Sequence, residues 1–297
     1  LAVVGGALVT SAGLDGGTLP NGQPKPLVIT PWLDWIALAG LVVMLIPAIY
    51  GRVARIGLLD AVKDRFPEKK VAGALAALRV MGVFASVSLF WALYDQQSST
   101  WTEQAESMDR HLFGWEIPPE VIQAVNPALV MAMIPLFALV LYPALKRAGW
   151  EATPLRRMTV GIFVCGASFV VVGVIQLVID GGARHLTLGW QLLPYVIITG
   201  AEILVSITGL EFAYTQAPKS MKSTIMSFFF LTVFFGDLIT AYIERIQIGQ
   251  HFVNWTHLGT PLAAQFFAYA VLIFVFGFVF AFLAKRYTVV DYTGQEE

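Results

Sequence analysis

Apolar residues run for about twenty positions at a time along this chain, separated by short stretches rich in Lys, Arg, Gly and Pro. A helix that spans a membrane needs about 20 such residues. Seven runs meet that length, near 32–51, 73–97, 120–143, 158–179, 190–214, 223–243 and 262–284. Strands of a membrane barrel would be about ten residues long and alternate apolar with polar, and none of these runs alternates. The pattern predicts an all-α membrane protein. Pro47, Pro127, Pro135 and Pro143 fall inside or at the ends of runs, where neighbouring helices or water can satisfy the carbonyls a proline frees.

Basic residues collect in alternate connections. Arg52, Arg55, Lys63, Arg65, Lys69 and Lys70 fill one, Lys146, Arg147, Arg156 and Arg157 another, Lys219 and Lys222 a third, and Lys285 and Arg286 follow the last run. That bias puts those connections in the cytoplasm. Residues 11–30 are then outside, and residues 1–10 read as the outer end of a helix. The chain opens on Leu1 and not on Met, without the flanks of a signal peptide; it reads as a piece of a longer sequence. The expected organisation is a partial hairpin over 1–51, a cytoplasmic linker over 52–72, a six-helix bundle over 73–284 and a cytoplasmic tail over 285–297.

Composition agrees with the membrane reading: 57% of residues are hydrophobic and 13% charged, against about a quarter charged in soluble domains. A net charge of -1 and the lack of a basic cluster with interleaved aromatics leave no footprint for nucleic acid. The lone Cys165 cannot form an intrachain disulfide and sits in an apolar run suited to packing.

Against this background the intramembrane polar residues carry the functional signal. An ionised Asp or Glu at the centre of a spanning helix costs about 3 kcal/mol on insertion scales, so such a residue marks a cavity, a proton path or a cationic ligand. Counted from the outer face at 1.5 Å per residue, Asn126 lies about 10 Å deep, Glu202 about 18 Å deep, and Asp95 near the outer end of its helix. Ser206 follows Glu202 by four residues and shares its face. A midplane carboxyl with no Lys or Arg at its depth is suited to taking up a proton or meeting an ammonium group. Arg79 is about one and a half turns inside the cytoplasmic end of its helix, from which it can snorkel to the interface. Glu211 lies at a comparable depth, nine residues after Glu202 and so on the opposite side of a regular helix; it offers Arg79 an ion-pair partner. Asp237 is a further intramembrane carboxyl that needs a partner, a proton or water.

Several enzyme classes lack their residues. The four histidines fall in expected outer loops with no metal-binding spacing, and no glycine-rich phosphate loop is present. No metal and no cofactor is expected, and a carrier driven by a proton gradient fits better than an enzyme.

Two strings then point to a family. Phe90-Trp91-Ala92-Leu93-Tyr94-Asp95-Gln96-Gln97-Ser98-Ser99-Thr100-Trp101 resembles the seventh core helix of the proton-coupled oligopeptide transporters, a branch of the major facilitator superfamily. Gly209-Leu210-Glu211-Phe212-Ala213-Tyr214-Thr215-Gln216-Ala217-Pro218-Lys219-Ser220-Met221-Lys222-Ser223 resembles the signature between their tenth and eleventh helices. Val125-Asn126-Pro127 and Val140-Leu141-Tyr142-Pro143 resemble the eighth helix. The resemblance implies a carboxy-terminal six-helix bundle of a major facilitator fold, with residues 1–51 as part of an inserted helical hairpin and the amino-terminal bundle missing.

The resemblance also implies roles. Glu202 and Asn126 would bind the amino terminus of a peptide, with Ser206 nearby and Trp91 shaping a side-chain pocket. Asp95 would open and close an outer gate by protonation. Arg79 stands where some members pair an arginine with an eighth-helix aspartate, a position that here reads as Ala138. Phe229 stands where a pocket tryptophan is common. With Arg79 and Glu211 added to the proton-coupling set, the expected function is proton-coupled symport of di- and tripeptides. The expected location is a cell membrane, as a multi-pass protein of a bacterial inner membrane. Two rivals keep the same residues: a symporter of another small solute such as nitrate, and a truncated module that does not transport.

Overall fold

The computed structural model describes residues 68–112, 114–182, 186–217 and 221–287. The expected helix at 32–51, the hairpin over 1–51 and the tail lie outside them, apart from residues 285–287 of the tail.

Six long helical segments form the described fold. The first is α1 (Glu68–Tyr94), continued by a 3₁₀ turn at Asp95–Ser98. A short helix α2 (Thr100–Glu106) and a two-stranded hairpin, β1 (His111–Leu112) against β2 (Trp115–Glu116), come next. The second segment joins a 3₁₀ turn at Pro119–Ala124, α3 (Val125–Leu136), a π turn at Phe137–Leu141 and α4 (Tyr142–Arg147). Then come α5 (Pro154–Asp180) and a segment built from a 3₁₀ turn at Leu188–Gln191, α6 (Leu192–Glu202), a π turn at Ile203–Ile207 and α7 (Thr208–Thr215). The last elements are α8 (Lys222–Arg245), a short α9 (Ile248–Thr256) and α10 (Pro261–Arg286). Five segments, from Pro119–Arg147 to Pro261–Arg286, have the length and apolarity to cross a membrane; at 1.5 Å per residue the 27 residues of α1 reach about 40 Å.

Local chemistry sets the ends. Pro154 and Pro261 occupy first-turn positions of α5 and α10, where a missing N–H costs nothing and the fixed φ suits the helix. Thr260 Oγ1 caps α10 by accepting from the Ala263 N–H. The π turn at Phe137–Leu141 comes just after Pro135, which lacks the N–H needed to continue a regular ladder.

Helix α5 packs against α6 and α10, and α1 against α8. Helix α3 is the reverse of a soluble helix: Asn126 is its one buried residue, while Met131 is 78% exposed. Apolar side chains turn outward where the surrounding medium is as apolar as the core, and the single polar side chain turns in.

A chain of amides fastens one end of the bundle. Gln191 Nε2 donates to the Trp101 carbonyl at 2.9 Å and to Gln104 Oε1 at 3.1 Å. Gln104 Nε2 donates to Gln176 Oε1 at 3.0 Å, and Gln176 Nε2 to Asp180 Oδ1 at 2.9 Å. Asp180 Oδ2 then accepts from the Thr260 hydroxyl at 2.8 Å. All three glutamines are buried, so each is committed to these partners.

Candidate functional site

Asn126 stands at the centre of a polar cluster drawn from three segments. It sits in the first turn of α3, turned inward. Its Nδ2 donates to Thr199 Oγ1 at 3.0 Å and to Glu202 Oε2 at 3.1 Å. Its Oδ1 accepts from the Tyr94 hydroxyl at 3.4 Å. Thr199 and Glu202 are three residues apart on α6 and so face the same way. The Glu202 carboxylate keeps acceptor sites beyond the one Asn126 fills, and it is half-buried.

The π turn begins at the residue after Glu202. Such turns collect at functional sites because they fit one more residue into a turn and re-aim the residues beyond it. The surplus residue also rotates the rest of the segment by about 100° relative to a regular helix. Ser206 lies within this turn and is half-buried. Glu211 beyond it is not on the side that regular geometry assigns. Its carboxylate accepts from Arg157 Nη1 at 3.0 Å, so the expected Arg79–Glu211 pair gives way to an Arg157–Glu211 pair. The Arg79 side chain lies outside the described residues.

Aromatic rings floor the cluster. Trp91 and Tyr94 on α1 meet edge to face with centroids 5.4 Å apart. Trp91 is 8% exposed, and its indole Nε1 has no hydrogen-bond partner among the described residues. Phe229, expected at a pocket wall, is 1% exposed. Its ring fills the space left by Gly209, where an added Cβ would stand 2.5 Å from Phe229 Cε2; it also lies edge-on to Phe84 and Trp91.

Asp95 begins the 3₁₀ turn one residue after Tyr94 and is half-buried. It shares a side-chain hydrogen bond with Asp237 of α8 and lies close enough to Glu202 to feel its charge. The structure therefore brings Asn126, Glu202, Trp91 and Asp95 into one neighbourhood and leaves Glu211 in a separate cluster with Arg157. Sequence reasoning leaves Tyr94 and Thr199 unassigned. Tyr94 stands three residues after Trp91 and Thr199 three before Glu202, so helical spacing from residues already singled out would have found both. Among the described residues no group of three His, Cys, Asp or Glu is placed to hold a metal ion.

Comparison with known proteins gives consistent matches. The sequence model of the POT family covers residues 22–257. Human solute carrier family 15 member 1 is 33% identical over 171 residues, 57% of this chain and 24% of its own length. The peptide transporter PTR_C of Candidozyma auris is 30% identical over 230 residues, 71% of this chain and 37% of its own. An auto-inhibited POT family peptide transporter of known structure superposes with a TM-score of 0.73 at 37% identity, over 98% of this chain and 59% of that one. The POT family transporter PepTSo gives 0.71 and 35%, over 94% and 57%. The chain thus spans less than two thirds of the length of each of these proteins.

Proposed function

Because the chain belongs to the POT family, we propose that it supplies one half of a proton-coupled symporter of di- and tripeptides in a cell membrane, working with an amino-terminal bundle like that of its longer relatives. The human relative and the solved transporters it resembles are solute carriers and peptide transporters by name, and a transporter is favoured over an enzyme.

The observation that carries the reading is the Asn126–Glu202 pair. A half-buried carboxylate, steadied by one amide at 3.1 Å and left with free acceptor sites, is built to receive a cationic group. The ammonium end of a short peptide is such a group, with three donors of its own. The second oxygen of Glu202 can accept one donor while the Asn126 amide holds the first, and Trp91 beside Tyr94 supports a wall for the adjoining side chain. Asp95, one residue beyond Tyr94, fits proton coupling at the mouth of the site, and the protons would come from the gradient across the bilayer. Alternating access would rock the two bundles about this site. An anionic cargo such as nitrate would meet Glu202 as a like charge, which disfavours that rival. A bacterial inner membrane is the proposed location.

The test is uptake of labelled dialanine under an inward proton gradient by proteoliposomes holding the transporter that contains this chain. Wild type is expected to accumulate dialanine and Glu202→Gln to lose uptake. Equal uptake by both would remove Glu202 from the site.

A further inference from the structure

Helix α8 approaches α1 more closely at Gly236 than any side chain would allow: a Cβ added there would stand 2.6 Å from Trp91 Cβ and 2.9 Å from the Ser88 carbonyl. One turn later the Thr240 hydroxyl donates to the Ala92 carbonyl at 2.8 Å. Asp237 lies between these two anchor points, and its side chain is hydrogen-bonded to Asp95. Two bare carboxylates cannot share a hydrogen bond, because both only accept. One of them must donate an O–H.

We propose that Asp95 and Asp237 form a single carboxyl pair that holds one proton, and that Asp237 is the positioning partner through which this proton latches α8 to the end of α1. The pair passes from O–H···O⁻, with one negative charge, to two carboxylates in contact when the proton leaves to water. Like charges at that distance repel, so loss of the proton loosens the α1–α8 contact at Asp95. Asp237 is exposed on α8, which gives the proton a route to water.

The surrounding groups make the pair responsive. Among the described residues, the titratable groups acting on Asp95 are Asp237 from α8, Glu202 from α6 and Tyr94 from α1. Further along α8, Glu244 accepts from Gln265 and Tyr269, and Arg245 comes next in the chain. The negative charge of Glu202 acts on the same proton, so a cation arriving at Glu202 weakens the hold of the pair. The inference rests on the transport reading only for what the proton accomplishes; the shared proton itself does not depend on it.

Two measurements on the transporter that contains this chain separate the two ideas. The first is an infrared titration of the purified protein, which reads protonated carboxyl groups directly. Wild type is expected to show a carboxyl band lost together in Asp95→Asn and in Asp237→Asn, and restored in form by Asp237→Glu; a band that survives both asparagine variants overturns the proposal. The second is dialanine uptake against external pH. Asp237→Asn, which keeps the shape and a hydrogen bond, is expected to move the midpoint by about one pH unit toward acid, with Asp237→Glu recovering the wild-type profile. An unmoved midpoint overturns the proposal, since a merely structural role would survive this isosteric change. If wild type neither exchanges nor accumulates dialanine, the peptide reading falls while the infrared titration still decides the carboxyl pair.

Discussion

Arg157 Nη1 donates to Glu211 Oε2 at 3.0 Å, tying the first turn of α5 to α7. The same guanidinium donates through Nε to the Ala152 carbonyl at 2.6 Å and lies 4.6 Å from the centre of the Tyr142 ring. Arg157 thus joins three segments, whereas Glu211 meets only one of its groups. The two side chains are 21% and 48% exposed, which limits the ion pair itself to about 1 kcal/mol or less. Arg157→Lys is therefore expected to lower the melting temperature more than Glu211→Gln does. A double-mutant cycle should assign only the smaller part of the Arg157→Lys loss to the ion pair; equal losses would show that the backbone and ring contacts contribute nothing.

Asn126→Leu would fill the first turn of α3 with an apolar group and strip partners from Glu202, Thr199 and Tyr94. Leaving such groups unsatisfied costs about 1–3 kcal/mol. The expected outcome is a rise in the dialanine concentration for half-maximal uptake that exceeds the effect of Tyr94→Phe, whose bond to Asn126 is long at 3.4 Å. Uptake kinetics of the two variants side by side would settle the order.

The amide chain predicts a stability effect that leaves the site alone. Gln104→Leu removes a fully buried amide that serves Gln191, Gln176 and the Val172 carbonyl. The stranded groups should cost about 1–3 kcal/mol, read as an earlier melting transition, with the half-saturating dialanine concentration unchanged. A shift in that concentration would show that the far end of the bundle communicates with Glu202.

Glu103, on the short helix α2 between spans, has its carboxyl pushed above the usual glutamate range by burial, then by the charges of Glu244 and Glu106. The sign comes from linkage: the folded state holds this proton more firmly than the unfolded state, so stability falls as pH rises past 4.5, the ordinary value. Glu103→Gln removes that fall. Melting curves taken from pH 4 to pH 7 should decline less for the variant than for wild type, and parallel curves would refute the assignment.

A competition between dipeptides and nitrate for uptake separates the proposed cargo from its anionic rival. Dialanine in excess is expected to displace labelled peptide, while nitrate at the same concentration leaves it in place. Displacement by nitrate would turn the reading of Glu202 around, since a bare carboxylate repels an anion.

Features of this molecule are readable in one dimension only where they leave a local trace. The five spans from Pro119–Arg147 onward announce themselves because length and apolarity are local properties. Glu202 and Asp95 stand out for the complementary reason, a charge in an apolar run. The π turn at Ile203–Ile207 has no compositional mark, so the nine-residue spacing from Glu202 to Glu211 reads as a half-turn and gives no hint of Arg157 as the partner. Helices α2 and α9 are shorter than a span, and nothing in their composition separates them from loops. The meeting of Asp95 with Asp237 depends on two segments some 140 residues apart coming together at Gly236. Phe229 shows its kinship in the sequence, while its burial against Gly209 emerges only from packing.

The surplus residue after Glu202 gives the segment Leu188–Thr215 a mechanical character that a regular helix lacks. A regular helix is a continuous screw, and turning one end turns the other. With a fault in the thread, the length before Glu202 and the length after Ile207 can be wound against each other, and tightening the fault into an ordinary turn would advance one side by about 1.5 Å and swing it through about 100°. Glu202 sits at the lip of that fault, so a load on its carboxylate bears on the one place in the rod where winding is unfinished.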